Sequence, residues 1–436
     1  MFEKLKKILG NRDIVLKIIY TFILLLVFKA GTYIPIPLID TKAITETIKG
    51  NDFLTILNAF SGGGLSKFSI LALGISPYIT ASIIIQMLQL IIPKFKEYSE
   101  QGEVGKVKLN RWTRYTTVVL AMIQALALLF GLGSRPENVL IGSILVFKDQ
   151  FWLFYIYMAI VITAGSAFTM WLADLITRHG IGNGSSMIIS AGIIASIPTM
   201  FTTLWNKYFG SGFTGAHLTC FIVIILLYII MILGVVFFEG ATRKIPVQYS
   251  NRQTSGNDGI PVKLNSASVI PVIFASTLMS IPLTIVGIMG LSTSSSQGAY
   301  WIDQIFSYNQ PIGIVLYIVL IYFFSFFYSF MMVDPDKISE NLDQQAAFIP
   351  GYRPGEETKK QLSRMLFRIT LIGATYLTVL ALVPIIVSKA FGFTTSEASV
   401  ITIGGTSLII VVGVAIQTFK QLETISETKE YKGFLD

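Results

Sequence analysis

The sequence predicts an all-α integral membrane protein of ten transmembrane helices, with one further apolar segment too short to cross the bilayer. Three observations predict it. The 436 residues are 53% hydrophobic and only 13% charged, with a mean hydropathy of +0.67, which leaves too little polar surface to cover a soluble globule. Nine charge-free stretches of at least twenty residues recur along the chain, each long enough to span a hydrocarbon core of about 30 Å. Finally, SGGGLSKFSILALGISPYIT, from Ser61 to Thr80, places three glycines, a lysine and a proline where a spanning helix tolerates them poorly.

The elements follow in order. The first thirteen residues, MFEKLKKILGNRD, form a basic amphipathic start with no small-residue cleavage site, so no removable signal peptide is expected. The first span, IVLKIIYTFILLLVFKAGTYI from Ile14, is interrupted only by Lys17 and Lys29, near its ends, where long side chains reach the interfaces. Gly62 to Gly64 then supply a loose tether, Leu65 to Leu73 a half-depth helix, and Gly74 to Pro77 a break before the second span. About ten helical residues reach only about 15 Å, half the core. The other spans fall within residues 68–93, 115–134, 150–173, 179–206, 208–238, 264–302, 304–333, 369–388 and 398–419. Cys220, the single cysteine, excludes an internal disulfide and reads as a small packed hydrophobe.

An even number of spans puts both termini on one side, and the loop charges choose that side. The N-terminus and the loops 93–114, 174–186, 239–266, 334–368 and 419–436 carry 24 Lys and Arg residues, and the opposite loops carry 7. The positive-inside rule therefore places both termini in the cytoplasm. That rule and anionic lipid account for a net charge of +8. The loop 334–368 invites a second reading, because a loop longer than about 15 residues is usually functional or disordered. Its FIPGYRPGEE turn is stiff and holds Arg353 outward, which suggests a docking surface for a cytoplasmic partner.

Catalytic chemistry is missing. The chain has no H-E-x-x-H, no G-x-S-x-G and no G-x-x-x-x-G-K-[ST], and its two histidines, His179 and His217, are far apart in sequence. No catalytic residue, metal site or cofactor is expected. The charge-free spans also lack the buried carboxylates or bases of ion-coupled carriers, and Asp174 and Glu239 fall at helix ends where capping or interfacial roles suffice. A pore that must pass diverse solutes without binding them, closed by an apolar constriction, fits this composition.

Several stretches resemble the bacterial SecY family: SGGGLSKFSILALGISPYITASIIIQ, EQGEVGKVKLNRWTRYTTVVLAMIQ, WLADLITRHGIGNGSSMIIS, KLNSASVIPVIFASTL, FFYSFMMVDPDKISENL, FIPGYRPGEETKKQL and FGFTTSEASVITIGGTSLIIVVGV. The likeness runs from about Lys17 to the C-terminus in order and includes the loops. It implies ten helices in two pseudo-symmetric inverted halves of five, 14–200 and 217–418, joined by an extracytoplasmic hinge at 201–216 and followed by a cytoplasmic tail at 419–436. The short segment 61–74 then becomes a plug, with Leu65, Lys67, Phe68, Ile70, Leu71 and Leu73 as its residues.

The resemblance further implies a passive protein-conducting channel of the cell membrane for secretion and membrane insertion, driven from outside the chain. By resemblance the pore ring is Ile75, Ile79, Ser185, Ile189, Ile273 and Ile410. Serine at 185 departs from the usual apolar residue, leaving either a wetter gasket or a place that Met187 fills. The lateral gate between the second and seventh spans falls on Ser82, Gln86, Ser276 and Thr277, whose side chains either bond across the seam or return to their own helix. Partner docking falls on Arg353, Arg243, Lys244 and Lys263, although NRQTSGNDGIPVK is less basic than the family pattern. The implied partners are SecE, SecG, the SecA motor ATPase, the ribosome, signal-bearing preproteins and membrane lipid. An accessory paralogue for a few substrates and a solute carrier are the alternative readings.

Overall fold

A computed structural model describes residues 10–37, 58, 61–132, 151–209, 215–249, 259–265, 268–288, 297–307, 310–353, 355–391, 393 and 395–432. The N-terminal segment through residue 9, residues 210–214 of the expected hinge, 250–258 of the first basic loop and the tail beyond 432 lie outside the described residues. The helices are α1 (Arg12–Gly31), α2 (Ser76–Ile91), α3 (Pro93–Glu100), α4 (Glu103–Leu132), α5 (Phe151–His179), α6 (Gly184–Phe209) and α7 (Gly215–Gly240), followed by α8 (Ile270–Ile288), α9 (Gln297–Phe306), α10 (Pro311–Met332), α11 (Pro335–Gln344), α12 (Glu356–Ala390) and α13 (Thr395–Lys432). The strands are β1 (Thr242–Pro246), β2 (Gln248–Tyr249), β3 (Gly259–Lys263) and β4 (Ala347–Phe348).

Among the described residues, eight helices are long and apolar enough to cross a membrane. The bent pair of α2 and α3 adds a ninth, and α8 contributes a shorter apolar helix. These are the ten expected spans. Proline explains the bend of 97° between α2 and α3. Pro93 opens α3, and Ile92 before it is extended at φ −100 and ψ 116, because the proline ring disfavours helical backbone in the preceding residue.

By contact the spans fall into two groups. In the first, α5 touches α1, α4 and α6, while α2 lies on α4. In the second, α10 lies between α8 and α12, and α13 lies against α7 and α12. The groups meet along two seams, one where α8 faces α4 and, more narrowly, α2, the other where α6 faces α13 and α7. A cavity lies between the groups, and apolar side chains from both fill the centre.

Two expectations change, the shape of the segment 61–75 and the ends of α6 and α13. The segment 61–75 is a compact succession of turns, not a regular half-depth helix. Gly62, Gly63, Phe68 and Gly74 all have positive φ, and left-handed residues break a right-handed helix wherever they fall. In the described part of the loop 334–368, Asp334 caps α11 by accepting from the Asp336 N–H, and α12 begins at Glu356. The helices α6 and α13 also run on, α6 through residues 201–209 of the expected hinge and α13 through 419–432 of the expected tail. Outside the apolar centre, Asp174 of α5 pairs with Arg114 of α4, which accounts for that helix-end carboxylate.

Candidate functional site

Ile75 is the residue just before α2, and Ile79 lies one turn on, its N–H donating to the Ile75 carbonyl at 3.1 Å. Ile189 comes from α6, Ile273 from α8 and Ile410 from α13. All five are buried, and all belong to one contiguous apolar cluster shared by the two groups of spans. Phe28 of α1 and Leu71 of the turn segment lie in the same cluster. Ser185 is half-buried at the start of α6. Its hydroxyl donates to Asn183 Oδ1 at 2.7 Å and its N–H donates to the same atom at 3.1 Å, so it belongs to the capped first turn of α6. Met187 packs on the cluster, as the sequence allowed, and Thr418 Oγ1 lies 3.7 Å from its sulfur.

The turn segment is seated, not loose. Leu65, Phe68, Ala72 and Leu73 are buried against Ala125 and Leu128 of α4 and Met158 and Ile162 of α5. Ile70 is half-buried and packs on both this cluster and the central one. The residues after α1 hold the segment by backbone pairing: Ile36 N–H donates to the Phe68 carbonyl and Ile70 N–H to the Ile34 carbonyl, both at 3.0 Å. Lys67 Nζ lies 3.1 Å from the centre of the Tyr33 ring, and Lys29 Nζ donates to the Gly62 carbonyl at 2.7 Å. Lys29 thus has a backbone carbonyl as partner and Lys67 the face of a partly exposed aromatic ring. Glycines permit the close fit: a Cβ on Gly165 of α5 would run into the Ile70 carbonyl, and one on Gly31 would stand 2.6 Å from Leu71.

A polar cavity of ≈ 880 Å³ opens between the two groups, lined by residues that include Thr177, Asn183, Lys263, Gln417 and Gln421. Helix geometry relates it to the isoleucines. At about 1.5 Å per residue, Gln421 stands about 16 Å along α13 from Ile410, and Asn183 about 9 Å along α6 from Ile189. Along both helices the cavity and the isoleucines therefore stand at different levels, and Leu71 of the turn segment lies in the same cluster as the isoleucines.

At the seam of α2 and α8, Gln86 Nε2 donates to Ser82 Oγ at 3.1 Å. Gln86 Oε1 accepts from the phenol of Tyr328 on α10. Ser276 and Thr277 both donate to the Ile273 carbonyl of their own helix at 2.8 Å. Tyr328 is a residue that spacing does not single out in an aromatic run such as FFSFFYSF. Its signal is chemical, because a buried phenol needs a partner.

The basic residues sit on a small folded unit. Arg243 and Lys244 are exposed on β1, which pairs antiparallel with β3, and Thr242 stands opposite Lys263. β2 pairs with β4, so the loops 239–266 and 334–368 form one surface. Ile245, Val262, Leu342, Ala347, Leu362 and Leu366 give that unit its own core. Arg353 is exposed at its tip, its N–H donating to Glu357 Oε2 at 3.2 Å and its carbonyl accepting from Thr358 at 2.9 Å.

Fold and site together define a multi-pass membrane protein whose two groups of spans share an apolar centre and a polar cavity. The SecY family model matches residues 69–419. The chain is 41% identical to the protein translocase subunit SecY of Bacillus licheniformis, covering the whole of both chains. It is 40% identical to that of Staphylococcus epidermidis, over the whole of this chain and 99% of the relative. The chain belongs to the SecY family. Among solved structures, the SecY protein whose plug domain was described as stabilising the closed channel matches with a TM-score of 0.64 at 21% identity, over 94% of this chain and 92% of that one. Sec61 in a canine ribosome-channel complex matches with a TM-score of 0.58 at 20% identity, over 94% and 93%. These two likenesses speak to the fold.

Proposed function

We propose that this chain is the pore-forming subunit of a protein-conducting channel, threading unfolded polypeptides across the membrane and releasing apolar segments sideways into lipid. One observation carries the reading: Ile75 just before α2, Ile79 of α2, Ile189 of α6, Ile273 of α8 and Ile410 of α13 are buried in one apolar cluster shared by both groups of spans, with a polar cavity between those groups and the buried turn segment packed on the cluster. Such a constriction seals by dewetting and shape, and discriminates little between the side chains that pass. Ile75, Ile79, Ile189, Ile273 and Ile410 act as the ring, the segment 61–74 as the plug, and the seam of α2 with α8 and α10 as the lateral gate.

The chain works as a passive pore and has no catalytic step of its own. Energy comes from a cytoplasmic motor such as SecA or from a translating ribosome, docked on Arg353, Arg243, Lys244 and Lys263. The canine relative in its ribosome complex supports a ribosome partner, and SecE and SecG complete the assembly by family analogy. The count of 24 basic residues against 7 supports cytoplasmic termini in a bacterial cell membrane.

Photo-crosslinking tests the reading. A secretory precursor stalled during export should attach to probes at Ile79 and Ile273, and should miss a probe at lipid-facing Leu233. Attachment at Leu233 with none at the two isoleucines would overturn it.

A further inference from the structure

Glu239 is the last carboxylate before the loop that follows α7, and it is only 5% exposed. Its Oε1 accepts from Ser268 Oγ at 2.9 Å and its Oε2 from Asn265 Nδ2 at 3.2 Å. Both donors belong to the approach to α8. Asn265 Nδ2 also donates to the Ser268 carbonyl at 3.1 Å, closing a small ring of bonds. On the other side of Glu239, Lys420 of α13 donates to its carbonyl at 2.8 Å. Lys420 lines the polar cavity, and Lys263, which faces the same carboxylate, lines it too.

The described residues of the approach to α8 are held by α7, α12 and α13. Ser268 has φ 52, a left-handed conformation that a serine keeps only where its surroundings impose it. A Cβ on Gly373 of α12 would stand 3.0 Å from the Leu264 carbonyl, and one on Gly413 of α13 would stand 2.8 Å from Val269. Neither capping nor an interfacial position requires a carboxylate so deeply buried between three elements. A buried carboxylate survives where several donors satisfy it, and those donors are then fixed in place by it.

We propose that Glu239 is the positioning residue for α8, and that Lys420 couples the polar cavity to it. The carboxylate fixes the first turn of α8 against α7, and with it Ile273 of the constriction. A polar chain occupying the cavity draws Lys420 off the Glu239 carbonyl, frees the end of α7, and lets α8 move at its seam with α2. The consequence for transport rests on the channel reading above, whereas the position of α8 is a property of the chain alone.

The test is a distance. Spin labels on cysteines at Ile84 of α2 and Leu278 of α8, in the assembled membrane complex with Cys220 replaced by serine, report how α8 sits. One narrow distance distribution is expected for the parent. Glu239→Gln should broaden it or add a second, longer component, because the amide keeps only one accepting oxygen for the two donors and loses the attraction of Lys263 for the carboxylate. Ser268→Ala should do the same more weakly, and adding it to Glu239→Gln should bring less than the sum. Lys420→Gln, which leaves the carboxylate in place, should broaden the distribution and raise the fraction of the long component at least twofold. Should Glu239→Gln fail to assemble, Ser268→Ala and Lys420→Gln decide the matter. Distributions identical to the parent in all assembled variants would overturn the proposal, as would a Lys420→Gln effect undiminished when Glu239→Gln is already present. Failure of precursor crosslinking at Ile79 and Ile273 would instead sink the channel reading and leave these distances standing.

Discussion

Tyr328 of α10 donates its phenolic hydrogen to Gln86 of α2, joining the two groups of spans across the seam. Ser82 holds the other end of the Gln86 amide, and Phe274 of α8 packs edge-on against the tyrosine ring, with centroids 5.0 Å apart. A hydrogen bond between helices in a membrane is worth about 1 kcal/mol, or about fivefold in an equilibrium. That is enough to bias a seam and too little to lock it. Tyr328→Phe is therefore expected to raise the open probability of the resting channel about fivefold. Adding Gln86→Leu should bring it part of the way back toward the parent, since it removes the acceptor that Tyr328→Phe leaves without its donor, while Ser82 loses its bond from the Gln86 amide. Single-channel recording in planar bilayers measures both.

The turn segment makes a second prediction through Tyr33. Its ring carries Lys67 at 3.1 Å and Lys29 at 5.2 Å, and an exposed cation–π contact contributes about 0.5–1 kcal/mol. Tyr33→Leu is expected to raise the resting ion conductance about two- to fivefold, while Tyr33→Phe, which keeps the ring, leaves it near the parent value. Gly165→Ala should have a larger effect than either, because the new Cβ meets the Ile70 carbonyl and the segment cannot seat. Equal conductance for Tyr33→Leu and Tyr33→Phe would show that the lysines do not hold the segment through the ring.

Much of this architecture was legible in the chain because the bilayer imposes it. Charge-free runs of twenty or more residues read as helices, since hydrocarbon leaves the backbone to pair within its own segment and a barrel strand needs only about ten residues, and the ten spans follow from that. Segment 61–75 was legible as something that enters without crossing, but not in its shape, because the left-handed Phe68 depends on backbone pairing with residues 34–36, far off in sequence. The same limit hid the pairing of Tyr249 with Ala347, which turns two loops into one folded unit. Gln86 drew attention as an amide in apolar surroundings, whereas its partner Tyr328 looked like one more aromatic in a span. Glu239 read as a helix-end carboxylate, because its burial comes from α8 and α13 closing over it. Local chemistry marks the groups that need a partner; only tertiary structure says which partner they find.

The start of α6 separates two roles that the sequence had merged. Ser185 and Asn183 form a helix cap at the polar cavity, while Ile189, one turn further, is in the apolar cluster. Ile189→Asn should therefore wet the constriction and raise ion leak several-fold in proteoliposome flux assays. Asn183→Ala should leave leak nearly unchanged while lowering stability by about 1 kcal/mol, the usual cost of losing a cap. A leak from Asn183→Ala equal to that of Ile189→Asn would place the constriction nearer the cavity than the cluster does.

Arg353 tests the docking surface. Its guanidinium extends from a tip whose backbone is held by Glu357 and Thr358, and no ion pair with it appears among the described residues. An exposed arginine contributes little to folding, so Arg353→Glu should leave thermal stability within about 0.5 kcal/mol of the parent. If the tip receives a cytoplasmic partner, the same change reverses the charge the partner meets, which weakens association and its salt dependence. Motor-driven export of a precursor into vesicles is then expected to fall tenfold or more, with resting ion conductance unchanged. Leu366→Ala provides the contrast. It empties part of the core beneath β1 and β3, at a cost of about 2–5 kcal/mol, and should impair export together with stability. If Arg353→Glu lost stability and export in the same proportion, the tip would be part of the folded unit's framework and the docking role would fall.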